Sequence, residues 1–236
     1  MILANPSPTV DIAVERVLKR SRQHSPATVQ TKKRKQTVVK NLTIKASDYV
    51  QAAFKANGFA VDTVRQTAEP LFREPTKEML ASYIPEVLDA IRKNDLERVK
   101  KLHKSGVLTG NGCNKFGEST FHLACRRGHT EIVKYLLNEV KFDMNVRDDY
   151  NRNPLHDACW TAEPEFELVD LLLRIAPHQL VMEDVRGFTP FDYIRAETNG
   201  KWLRFLWERR AILRPLEKKA NHDEMTTASV LASLRK

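Results

Sequence analysis

Gly117-Glu118-Ser119-Thr120-Phe121-His122-Leu123-Ala124-Cys125 returns 34 residues later as Asn151-Arg152-Asn153-Pro154-Leu155-His156-Asp157-Ala158-Cys159. A fainter version, Gly187-Phe188-Thr189-Pro190-Phe191-Asp192, begins 36 residues after the second. Self-similarity at this period marks one supersecondary unit, a helix pair too small to bury its own apolar face. Such a unit is stable only against a neighbour, so the echo predicts a stack of helical hairpins with no deep cleft. An open, elongated surface of that kind suits gripping a partner better than doing chemistry.

Upstream, Ala90-Ile91 and Asn94-Asp95-Leu96-Glu97-Arg98-Val99 align at the same offset of 34 with Ala124-Cys125 and Gly128-His129-Thr130-Glu131-Ile132-Val133. They form a degenerate first unit, as expected where one face of a stack meets water. The segment from Thr76 to Lys104 reads as largely helical, with Pro85 restarting it where a missing N–H is tolerated. Before it, residues 47–57 carry Tyr49, Val50, Ala53 and Phe54 on one face, with Ser47 as N-cap and Gly58 as stop. About three turns are marginal alone in water, so this helix must dock, on the repeats or on another protein. Downstream, Trp202, Phe205, Leu206 and Trp207 read as the core of a terminal helix, with Arg204, Glu208, Arg209 and Arg210 on its wet face.

These residues resemble the ankyrin repeat. The best copy carries Gly117, Thr120, His122, Ala124, Gly128, His129, Glu131, Ile132, Val133, Leu136 and Leu137 at the family's positions. The second keeps Pro154, Leu155, His156, Ala158, Leu168, Val169, Leu172 and Leu173, with a 162–167 loop in place of Gly-His; the third keeps Thr189, Pro190 and Phe191, with Asp192 where His stands elsewhere. The resemblance implies a mainly α, ankyrin-like helical repeat solenoid of about three and a half units, flanked by disordered or weakly helical tails. In the family a Thr three positions before the His helps to bond the helix start; Ser119 and Asn153 stand there instead, which predicts an altered network. The fold itself carries many unrelated partners and fixes no function.

The chain of 236 residues divides accordingly: an arm (1–44), a linker with a short amphipathic helix (45–75), the repeats (76–210) and a polar tail (211–236). With 42% apolar and 29% charged residues, and a mean hydropathy of −0.47, it supports a core but not throughout. No apolar run approaches the ~18 residues of a membrane span, and Met1-Ile2-Leu3-Ala4-Asn5-Pro6 lacks the pattern of a secretory leader. Three cysteines, Cys113, Cys125 and Cys159, make no disulfide framework or zinc ribbon and fit a reducing compartment.

Charge is uneven. Residues 1–40 hold nine Lys/Arg against two acidic residues, a net +7 within a total of +9. Mixed Pro, Ser, Thr, Gln and Lys without a sustained period cannot bury enough apolar area to offset ordering, so the arm reads as disordered. Lys19-Arg20, then Lys32-Lys33-Arg34-Lys35, resembles a bipartite nuclear import signal, able to reach two acidic patches of a carrier at once. Ser25-Pro26 lies in its spacer, where a phosphate would cancel charge. The same arm could hold nucleic acid weakly and without specificity through phosphates, but it has no interleaved aromatics for stacking on bases. The nucleus is favoured over the cytoplasm.

Within the repeats, Arg126, Arg127, Trp160 and Thr161 follow the small Ala-Cys pairs, positions that the ankyrin resemblance places on the concave face. Lys115, Phe116, Asp149, Tyr150, Val185 and Arg186 fall at the loop tips. Exposed Trp, Tyr and Arg are the usual anchors of interfaces; the alternative for Trp160 is burial beneath the 162–167 loop. His122 with Cys125, and His156 with Cys159, resemble a nucleophile pair, but one duplicated in successive repeats reads as packing. No paired carboxylates, phosphate loop or metal cluster is legible. The expectation is therefore a non-enzymatic protein-binding adaptor with no cofactor, metal, small-molecule substrate or membrane contact. The competing reading is a nucleic-acid-associated regulator working through the arm.

Overall fold

A computed structural model of the chain describes residues 44–56, 72, 74–110 and 112–213. Helix α1 (Ala46–Ala56) and the short α2 (Lys77–Ala81) precede four paired units. The first unit is α3 (Pro85–Arg92) with α4 (Leu96–Lys104); the second is α5 (Thr120–Arg126) with α6 (Thr130–Asn138). The third is α7 (Pro154–Cys159) with α8 (Phe166–Ile175). In the fourth, a 3₁₀ turn at Pro190–Tyr193 replaces the first helix and is followed by α9 (Asn199–Glu208). Among the described residues the one β feature is an isolated bridge between Cys113 and Ser119.

Local chemistry sets these boundaries. Pro85 and Pro154 occupy the first turns of α3 and α7, where φ is already helical and no N–H is required. Asn94 and Gly128, 34 residues apart, take φ of +55° and +69° at the turns joining the two helices of their units. Ala90, Ala124 and Ala158 recur at the same interval and are buried, so the first helices of successive units approach closely. That row packs more tightly than the row formed by α4, α6 and α8. Ile132, Leu136, Leu137, Leu168, Leu172 and Leu173 fill the seam between the rows.

The helical reading of Thr76 to Lys104 holds, and two other expectations are corrected. Thr76 does cap a helix, accepting from the Met79 N–H at 3.3 Å. The segment to Lys104 is largely helical as read, with breaks at residues 82–84, just before Pro85, and at 93–95. The 162–167 loop is shorter than read, since Phe166 and Glu167 belong to α8. Ser47 is no N-cap; it lies inside α1 and is buried. The start of α1 is held instead by Asn199, whose Oδ1 accepts from Ala46 N–H and whose Nδ2 donates to Ile44 O, both at 2.9 Å.

Those two bonds show where α1 docks. It packs on α9, on the Pro190–Tyr193 turn and on the 3₁₀ turn at Arg210–Leu213. Tyr49, Val50, Ala53 and Phe54 are all buried there. A helix from the start of the described chain thus closes the last unit of the stack. By Phe72 the chain has reached the second unit, where that ring stands beside Gly117.

Candidate partner-binding face

Three hairpin turns, 114–118, 148–152 and 184–188, project from the stack. Each is closed by the side-chain oxygen of its first residue. Asn114 accepts from the N–H groups of Phe116 and Glu118, Asp148 from those of Tyr150 and Arg152, and Asp184 from those of Arg186 and Phe188. The fourth position is left-handed in every case: Gly117 (φ +74°), Asn151 (+59°) and Gly187 (+81°). Asn fits where Gly is usual because its short polar side chain tolerates that region; here Asn151 Nδ2 donates to Glu183 O at 3.0 Å. Backbone bonds tie turn to turn, from Asp149 N–H to Phe116 O at 2.8 Å and from Val185 N–H to Tyr150 O at 3.0 Å. The tips therefore form one braced ridge.

The histidines lock that ridge to the helices. His122 Nδ1 accepts from Ser119 N–H at 3.2 Å, while Nε2 donates to Arg152 O of the next turn at 3.2 Å. His156 does the same with Asn153 N–H and Phe188 O, both at 3.1 Å. Ser119 and Asn153 accept in return from the histidine N–H groups, a reciprocal box in both units. The expected alteration of the network is thus overturned: a Ser hydroxyl or an Asn carbonyl supplies the same acceptor as Thr. In the last unit Asp192 Oδ2 accepts from Thr189 N–H at 2.9 Å. A carboxylate replaces the accepting nitrogen and offers no donor to a further turn.

Burial pulls both histidines toward the neutral form, His156 down to about 4. It also pushes the Cys125 and Cys159 thiols well up. Neither pair offers a thiolate and a free base, and His122 and His156 spend both ring nitrogens on structure.

Of the residues singled out at the tips, Lys115, Phe116, Asp149, Tyr150, Val185 and Arg186 are all exposed. Phe116 is 49%, Tyr150 50% and Val185 65% exposed. Arg186 is committed within its own turn, bonding Asp184 and the Tyr193 hydroxyl. On the inner face, Arg126, Arg127, Trp160 and Thr161 line one open groove of about 710 Å³ with Tyr83, Arg92, Glu118, Glu163 and Arg195 among their neighbours. Trp160 is 44% exposed, so it does not fold beneath the following loop. Arg126 stands 5.9 Å from its ring centre.

Arg126 is also structural. It pairs with Glu118 at 2.6 Å and with the buried carboxylate of Asp157 at 3.0 Å. Burial alone would pull its guanidinium down, but these two carboxylates outweigh it and hold the charge. Asp157 escaped the sequence reading, since an Asp on a short helix ordinarily faces water. Arg92 was missed as well, although it precedes Arg126 by 34 residues as Arg126 precedes Trp160. Extending the register into the degenerate unit would have found it.

The import-signal residues Lys19, Arg20, Lys32, Lys33, Arg34 and Lys35 lie outside the described residues, as does the chain beyond 213. Among the described residues, no group of three or more His, Cys, Asp or Glu could hold a metal ion. No helix there is long and apolar enough to cross a membrane.

Capped helix pairs bridged by histidine and braced turns define a helical-repeat protein with an open groove on one face. Residues 87–193 match the family model for ankyrin repeats, in three copies, and this part of the chain is an ankyrin-repeat array. The chain is 31% identical over 121 residues to the tyrosine-protein kinase Shark of Drosophila melanogaster, covering 50% of this chain and 12% of that protein. It is 27% identical over 131 residues to the human SMC5-SMC6 complex localization factor protein 1, covering 49% and 12%. To the mouse protein phosphatase 1 regulatory subunit 27 it is 33% identical over 78 residues, covering 33% and 50%. The chain therefore spans at most half the length of these relatives.

Proposed function

We propose that this protein is a non-catalytic protein-binding module that presents its inner groove and hairpin ridge to a partner in the nucleus. The observation that carries this is the exposure of Phe116, Tyr150 and Trp160 on braced turns and helix ends. Aromatic anchors held rigid before binding lose little conformational entropy when a partner arrives. Two of the similar proteins are named as a regulatory subunit and a localization factor, roles that act through another molecule. The arm supplies the address: Lys19-Arg20 and Lys32 to Lys35 would engage an import carrier.

Affinity purification with the intact chain, compared against Trp160→Ala plus Tyr150→Ala, tests the face. Partners lost from the variant support it, and partners retained equally remove it. For the address, Lys32 to Lys35 changed to alanine should move a fluorescent fusion to the cytoplasm. The second reading, a nucleic-acid-associated regulator, rests on the +7 charge of residues 1–40. It requires binding that weakens steeply with salt and maps to that arm.

A further inference from the structure

The groove beside Trp160 has a charge pattern that the protein-binding reading does not by itself explain. Its lining holds four arginines, Arg92, Arg126, Arg127 and Arg195, against two carboxylates, Glu118 and Glu163. Both carboxylates are already engaged: Glu118 by Arg126 and by Asn114 Nδ2 at 3.2 Å, and Glu163 by Lys201 at 2.7 Å. Arg126 is engaged in turn by Asp157. Arg92, Arg127 and Arg195 are exposed, and no carboxylate among the described residues forms an ion pair with them. Three uncommitted guanidinium groups thus share one open groove with a half-exposed indole.

From this we infer that the groove receives an acidic segment of a partner protein, with an apolar side chain against Trp160 and carboxylates on Arg92, Arg127 and Arg195. The inference rests on the protein-binding reading and adds the chemistry of the partner. Guanidinium groups match carboxylates in a planar, two-point geometry, and the Trp face gives a flanking apolar residue somewhere to lose water. This chain's own arm is excluded by charge, because its +7 would be repelled. A nucleic-acid strand fits less well: its unbroken run of phosphates must pass the fixed carboxylate of Glu118, whereas a peptide can space its charges around it.

A displayed library of random twelve-residue peptides, selected on the full chain, tests this directly. The expected survivors carry several Asp or Glu around an aromatic or aliphatic residue. Their affinity should fall roughly 10-fold or more for Arg92→Glu/Arg127→Glu/Arg195→Glu. A comparable fall is expected for Trp160→Ala, with little change for Lys32 to Lys35 changed to alanine. Unaltered urea unfolding of the triple variant separates lost binding from lost fold; a destabilised triple variant is replaced by single charge reversals, whose effects should be additive. Survivors of neutral or basic composition, binding that ignores the three arginines, stronger capture of a duplex oligonucleotide at the same residues, or no survivors at all would overturn the assignment. Survivors that depend on Phe116 and Tyr150 but not on the groove would sink it while leaving the wider binding proposal standing.

Discussion

His156 must stay neutral to keep its place, because Nδ1 accepts one backbone N–H while Nε2 donates to the next turn. The larger cost of protonating Nδ1 is the charge itself, which burial removes from water; losing the bond from Asn153 N–H adds to it, although Asn153 Oδ1 stands 2.9 Å away. The folded chain therefore binds fewer protons than the unfolded chain between the ordinary histidine value near 6.5 and about 4. Stability is fully present above that window and falls as pH drops through it, by about 3 kcal/mol from His156; His122 moves in the same direction. Urea midpoints from pH 7 to 4.5 should fall less steeply for His156→Gln than for the natural chain, and equal slopes would refute the linkage. Asp157 is a second residue with a sharp expectation. Arg126→Met leaves its carboxylate buried and unpaired, costing about 2–3 kcal/mol, the low side of the range because Arg126 is partly open to water. Adding Asp157→Leu, the residue found 34 positions earlier at Leu123, should recover most of the loss. These two residues also mark what could be read in advance. The histidine pairing was legible as packing because it repeats, whereas Asp157 departs from the repeat and its meaning resides in Arg126, 31 residues away.

Helix α1 is the element whose fate the sequence left undecided. Its apolar face was plain from Tyr49, Val50, Ala53 and Phe54, but an amphipathic helix specifies only that it needs a partner, not which one. The acceptor is assembled from Asn199, Trp202 and the Pro190–Tyr193 turn, none of which belongs to a pattern shared with α1. Tyr49→Ala plus Phe54→Ala should cost about 3–5 kcal/mol for each aromatic truncated. Its signature would be distant: hydrogen exchange should quicken in α9 before it quickens in α6. Loss of protection spread evenly over every helix would contradict a local cap. Among the turns, Gly117→Ala is expected to destabilise, since at φ +74° an added Cβ would meet Arg147 O at 2.7 Å and Phe72 Cε2 at 2.9 Å.

At the scale of the molecule, stability is shared along a line of units that touch only their neighbours. Leu155 is completely buried in the third of four. Leu155→Ala should cost about 2–5 kcal/mol and lower the urea midpoint of a single transition, because so short an array has no independent half to remain folded. Two separated transitions would show that the units are less coupled than their packing indicates. The solenoid was legible because its period is written several times over. Its ends were not, since Asp192 and α1 occur once and solve the local problem of stopping a stack.

The seat of α1 also has a consequence for the order in which the protein is made. Ala46 bonds to a residue 153 positions further along, so its docking site does not exist until nearly all of the repeats have left the ribosome. At about 5–20 residues per second that interval lasts roughly eight to thirty seconds. Throughout it residues 46–56 have no surface to fold against, and three turns of helix hardly persist alone in water, so this segment joins the fold late although it is made early.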